Sequence, residues 1–246
     1  MKLFALSLTL LVALSSFAAD SKPVSYKSGD ETVNAVMYTP KGKGPFPALI
    51  VIHEWWGLND WVKDQASKLA EQGYVTLAID LYRGKVATTS DEAHEIMRGL
   101  PEDRAARDLR AAFDYLATQP NVDKAKIGSI GWCMGGGHSL KLALIEPRLK
   151  AAVIKYGHLA TEPEDLKKIN ASILGVFGAK DRGIPVEDVK KFEAQLKSMG
   201  KKVEIQIYPE AGHAFENPNN KEGYREADTK DSWTKTLAWL DQNLKK

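Results

Sequence analysis

The sequence predicts an α/β fold: a mostly parallel sheet with an N-terminal antiparallel hairpin and helices on both faces. Three observations predict it. Short continuous apolar runs recur at Ala48 to Ile52, Val75 to Ile79, Ile127 to Ile130, Ala151 to Ile154 and Ile173 to Phe177, a length that suits parallel strands covered on both faces. Segments with helical periodicity alternate with these runs. The 246 residues are 43% hydrophobic, enough for one substantial core and too apolar for a disordered chain.

At the N-terminus, Lys2 precedes an apolar stretch from Leu3 to Leu14, and Ser16-Phe17-Ala18 follows with a small-residue cleavage pattern. This predicts a secretory signal peptide over residues 1–18, because the apolar stretch is shorter than the ~20 residues of a spanning helix. The mature chain, 19–246, is then an exported single domain, most simply periplasmic, with no stable membrane association. It opens with two strand-like segments, Val24 to Lys27 and Thr32 to Tyr38, joined across Ser28-Gly29-Asp30-Glu31 as a hairpin. Between Asp103 and Thr118, Ala105, Ala106, Leu109, Ala112, Phe113 and Leu116 fall on one helical stripe, and Trp233, Leu237, Leu240 and Leu244 repeat that spacing at the C-terminus. Val203, Ile205 and Ile207 alternate with Glu204 and Gln206, which places a late strand near a sheet edge. The stretch from Gly84 to Pro101 is the longest irregular candidate, a short helix bordering the site being one reading. No linker divides the chain.

Charge and cysteine content exclude several classes. Lys plus Arg total 34 against 32 Asp plus Glu, a formal net charge of +2 without a basic block, which disfavours a nucleic-acid binder. The single cysteine, Cys133, excludes an intrachain disulfide, a C-x-x-C redox pair and a multi-cysteine zinc site. His53, His94, His138 and His158 show no metal-ligand spacing, so neither metal nor cofactor is assigned.

Cys133 stands in the segment with the strongest signal, Gly131-Trp132-Cys133-Met134-Gly135, at the junction of a buried strand and a helical segment. The form G-x-C-x-G is a nucleophile elbow with cysteine in place of serine. A sharp strand-to-helix turn needs small residues on either side of the nucleophile. It also sets the thiol at a helix N-terminus, where the macrodipole favours the thiolate, and aims the Met134 N–H at an oxyanion. An acid and a histidine follow in the order that the α/β-hydrolase fold uses. Asp181 lies just past the strand ending at Phe177, and His213 past the one ending at Tyr208. His213 is the candidate base and Asp181 the group that orients it. Glu54, beyond the strand Ala48 to Ile52, is a candidate pocket acid with a raised pKa, and His158 a candidate pocket residue. Trp55, Trp56 and Trp61 are equally readable as pocket walls or as packing.

These residues resemble the dienelactone hydrolases, cysteine-dependent members of the α/β-hydrolase fold. The likeness rests on His53-Glu54-Trp55-Trp56-Gly57, Asp80-Leu81-Tyr82-Arg83, Gly131-Trp132-Cys133-Met134-Gly135-Gly136, the Asp181 loop and Gly212-His213-Ala214-Phe215, and it covers essentially the whole mature chain. The resemblance implies a Cys133, Asp181 and His213 triad. It implies that Glu54 contacts the resting thiol and helps ionise it, and that the Trp55 N–H completes the oxyanion hole with that of Met134. Arg83 resembles the first of two arginines that hold a carboxylate substrate in the family. Where the second is expected, this chain has Glu216-Asn217, and an acid there would repel a carboxylate. The reading that follows is a small-molecule ester or lactone substrate, cleaved without a cofactor by a monomer. A broad thiol esterase of the same fold and a catalytically silent binding module are the alternatives.

Overall fold

A computed structural model describes residues 19–246, so the leader read from residues 1–18 lies outside the described residues. The strands are β1 (Asp20–Ser28), β2 (Glu31–Thr39), β3 (Phe46–Ile52), β4 (Val75–Ile79), β5 (Val122–Trp132), β6 (Ala151–Lys155), β7 (Ser172–Gly178) and β8 (Val203–Tyr208). The helices are α1 (Asp60–Glu71), α2 (Ser90–Arg98), α3 (Glu102–Ala117), α4 (Met134–Ile145), α5 (Pro163–Leu166), α6 (Val186–Ser198) and α7 (Glu226–Leu240), the last running into a π-turn at Asp241–Lys245.

The strands form one eight-stranded sheet in the order β1-β2-β4-β3-β5-β6-β7-β8. β1 pairs with β2 and β2 with β4 antiparallel; every other pairing is parallel. This is the α/β-hydrolase arrangement that the alternating runs predict. The alternating segment from Val203 becomes β8, at the sheet edge. The irregular stretch after Gly84 contains α2, started by the Thr89 hydroxyl, which accepts from the Glu92 N–H at 3.3 Å.

Successive residues of β3 serve opposite layers. Ile50 and Ile52 join a core with Leu109 and Phe113 of α3, Leu142 of α4 and Phe192 of α6. Leu49 and Val51 join the other, with Val62 and Leu69 of α1 and Trp239 and Leu240 of α7. Each large apolar side chain buried in this way contributes roughly 1.5–3 kcal/mol, and a strand covered on both faces has no need of polar alternation.

The topology fixes where chemistry can gather. From β3 the chain crosses through α1 to β4 on one side, then returns to form β5 on the other side of β3. The crossover changes direction between β3 and β5, and a crevice opens at the carboxyl ends of strands around such a switch point. Among the described residues no helix is long and apolar enough to cross a membrane.

Candidate active site

β3 ends at Ile52 and leads directly into His53-Glu54-Trp55, while its neighbour β5 ends at Trp132 and turns at Cys133 into α4. Cys133 has φ 55° and ψ −119°, a conformation that costs an ordinary residue about 1–3 kcal/mol and persists only where its surroundings enforce it. The enforcement is visible on both sides. The Cys133 N–H donates to the Lys155 carbonyl at 2.9 Å, and its carbonyl accepts from the Gly136 and Gly137 N–H groups at 3.0 and 3.2 Å. A Cβ on Gly131 would stand 2.1 Å from the Gly135 carbonyl oxygen, and one on Gly135 2.3 Å from that of Ile52. The two glycines thus let the turn close on itself and press against β3. The Cys133 side chain is left half-buried at the first turn of α4, where the helix dipole favours negative charge.

The base and its partner arrive from the β7 and β8 ends. The Lys180 N–H donates to the Ala211 carbonyl at 2.8 Å, which ties the Asp181 loop to the His213 loop. His213 Nδ1 and Asp181 Oδ2 are 2.6 Å apart, while Asp181 Oδ1 accepts from the Gly183 N–H at 2.9 Å. Burial alone would raise the Asp181 pKa, but these partners hold it below the usual carboxylate value. Burial likewise works to lower the His213 pKa, yet the hydrogen bond to Asp181 and the adjacent Cys133 sulfur outweigh it and push it up to about 10.

Glu54 is the most unusual group in the site. It is 1% exposed; Asn217 Nδ2 donates to its Oε2 at 2.6 Å, while Oε1 is buried without a partner. Desolvation therefore dominates, with a smaller push from Glu216 and opposition from Asn217 and His213, and the pKa is raised to about 7. His53 fixes the backbone beneath it. Its Nε2 accepts from the Leu81 N–H at 3.2 Å, so Nδ1 carries the proton and donates to the Glu54 carbonyl at 2.6 Å.

Glu54, Trp55, Cys133, Met134, His158 and His213 line one cleft of about 950 Å³, with Asp181 standing behind His213. Neither the Trp55 nor the Met134 N–H has a hydrogen-bond partner among the described residues, which leaves both donors free for an oxyanion. Three of the non-glycine residues with positive φ, Cys133, Tyr156 and Ala214, line this cleft, so the backbone strain collects where the chemistry would be. Trp55 and Trp56 are walls of the cleft, whereas Trp61 packs edge-on against Trp132 with ring centroids 5.4 Å apart.

Two expectations need correction. Arg83 is not among the residues that line the cleft: its guanidinium is 2.8 Å from both Asp108 Oδ2 and Glu31 Oε2, so it ties the hairpin to α3. Glu216 does not line the cleft either. Its Oε1 accepts from Lys155 Nζ at 2.9 Å and from the Ser232 hydroxyl, and its Oε2 from Trp132 Nε1 at 2.9 Å. Lys155 Nζ also contacts Ser232 Oγ and Thr236 Oγ1, both at 2.7 Å. This network bolts α7 and the His213 loop beneath the elbow.

Sequence reasoning missed Asn217, Lys155 and Tyr156 as parts of the site. Asn217 meets Glu54 across 163 residues, and no local pattern announces such a contact. Lys155 had a faint signal, a lone cation closing an apolar run. Tyr156, whose ring lies edge-on to His213 at 5.4 Å between centroids, had none.

The profile of the Dienelactone hydrolase family matches residues 33–244. A protein of Methylorubrum extorquens named "Putative carboxymethylenebutenolidase" is 30% identical over 97% of this chain and 88% of its own length. One of the same name from Yersinia pestis is 32% identical over 87% and 85%. Among solved structures, a dienelactone hydrolase-like promiscuous phosphotriesterase from metagenomic libraries superposes with a TM-score of 0.85 at 28% identity, covering 92% of this chain and 99% of that one.

Proposed function

Because the chain belongs to the dienelactone hydrolase family, we propose that it hydrolyses a carboxylic ester or lactone, with Cys133 as nucleophile, His213 as acid and base, and Asp181 as its orienting partner. The observation that carries this is the position of Cys133: a strained elbow at a helix N-terminus, opening on the cleft that His213 also lines.

The Cys133 sulfur attacks the carbonyl carbon, and the free N–H groups of Trp55 and Met134 receive the oxyanion. Collapse of the tetrahedral adduct breaks the bond to the leaving alkoxide, which takes a proton from His213, and leaves an acyl thioester on Cys133. His213 then changes role for a reason the site supplies. Part of what holds its proton is the adjacent sulfur, and acylation removes that sulfur's negative charge. The imidazole now gives up its hold on a proton more easily and works as a base toward water. Water adds to the thioester, the thiolate leaves, and the acid product departs. Glu54, with a pKa of about 7, takes the thiol proton before attack and returns it to Cys133 once the thiolate has left, which restores the resting enzyme.

Cys133→Ala should lower kcat on p-nitrophenyl acetate by about a thousandfold or more with an unchanged circular dichroism spectrum. Mass spectrometry of quenched wild type should show one acyl group on Cys133. Hydrolysis retained in the variant would overturn the assignment. Residues 1–18 are read as an export leader, and N-terminal sequencing of the mature periplasmic protein should begin at Ala19; Met1 retained on cytosolic protein would reject that.

A further inference from the structure

We propose that the physiological substrate is a neutral ester or lactone bearing a bulky apolar group, rather than a small lactone that carries a carboxylate. This rests on Cys133 acting as the nucleophile and adds what the nucleophile is given.

A small anionic substrate is held most strongly by a cation withdrawn from water, since solvent and salt screen the charge of an exposed lysine. The buried cations of this half of the molecule are already engaged. Lys155 is satisfied by Glu216, Ser232 and Thr236, and Arg83 is held by Asp108 and Glu31 outside the cleft. His213 is committed to Asp181. No arginine lines the cleft among the described residues; its lysines are Lys141 and Lys221, and its acids are Glu54, Glu102, Asp165 and Glu222. Asp165 is neutralised by Lys168 at 2.7 Å, while Lys141 lies 4.0 Å from Glu102, with its side chain 42% exposed. The lining charges therefore nearly cancel, and none of its cations is withdrawn from water to hold an anion.

The walls give the positive side. Trp56, Met97, Leu144, Leu159 and Ile184 line the cleft. Its volume of about 950 Å³ lies near the top of the ~300–1,000 Å³ range of small-molecule pockets, far more than a compact lactone fills. Among its interior polar groups, His138 is uncharged at neutral pH because burial, aided by His53 and Lys141, pushes its pKa down to about 4. It offers a hydrogen bond without a charge.

The test compares p-nitrophenyl butyrate and p-nitrophenyl benzoate with the mono-p-nitrophenyl ester of succinic acid, which replaces the butyryl methyl by a carboxylate. Rates are corrected with Cys133→Ala. The neutral esters should exceed the anionic one in kcat/KM by about tenfold or more, because a carboxylate entering the cleft is desolvated without a buried cation to hold it. Equal or faster cleavage of the succinate ester overturns the substrate class and leaves the nucleophile intact. Cleavage of none of the three overturns the hydrolase reading and this one with it.

Discussion

Glu54 and Glu216 are both buried carboxylates, 1% and 8% exposed, and the loop that carries one holds the other's partner. Glu216 turns down beneath the elbow, where Lys155, Ser232 and Trp132 satisfy both of its oxygens. Its neighbour Asn217 turns up and gives Glu54 its one hydrogen bond, leaving the second oxygen bare. The contrast teaches that burial alone does not assign a role. A buried acid whose partners are complete is structural, and its removal strands a cation. A buried acid left one bond short is held near the point of exchanging a proton.

Removing one side of the bolt should have the largest effect. Glu216→Leu leaves Lys155 buried without a counter-charge and should cost about 3–5 kcal/mol in urea unfolding, whereas Lys155→Met with Glu216→Leu should recover most of it. A single variant within about 1 kcal/mol of wild type would erase the distinction between the two acids. Glu54→Gln comes next and sharpens it. The Glu54 pKa is raised from its ordinary 4.5 to about 7, so between those values the unfolded chain releases a proton that the folded one keeps. Wild-type stability should therefore fall as pH rises through that window, by roughly 3 kcal/mol from this group, and the variant should lack the slope. Its single-turnover acylation should slow by about a hundredfold; an unchanged rate would remove Glu54 from the mechanism. Asn217→Ala should have the smallest effect. Without the hydrogen bond that lowers it, the Glu54 pKa should climb by less than about one unit, seen as a shift of the acid limb of the pH–rate profile to higher pH.

What was legible in the sequence follows the range of the interaction that produces it. The elbow is local: Gly131 and Gly135 lie two residues from Cys133, and the collisions that demand them arise within that turn and against the adjacent strand. The β4 run from Val75 to Ile79 coincides with the observed strand because a strand covered on both faces shows itself as an unbroken apolar run. The order of Cys133, Asp181 and His213 is readable because each follows its own strand. Arg83 and Glu216 were misread for the opposite reason. Each finds its partner across the fold, Arg83 at Glu31 and Asp108 and Glu216 at Lys155. A charge seen in sequence carries no mark of the counter-charge that tertiary packing will deliver. Asn217 was invisible on the same ground.

The contact between Asn217 and Glu54, 163 residues apart, also sets an order of events. Closing so long a loop carries an entropic cost that only other tertiary contacts repay, so a chain emerging from its N-terminus has the Glu54 turn early and the residue that steadies it late. A chain ending after β7 would own a nucleophile and Glu54 but no histidine to protonate a leaving group. The cleft is thus the last part of the molecule to come into being, and a thiol destined for chemistry stays without that histidine until nearly the whole chain has been delivered.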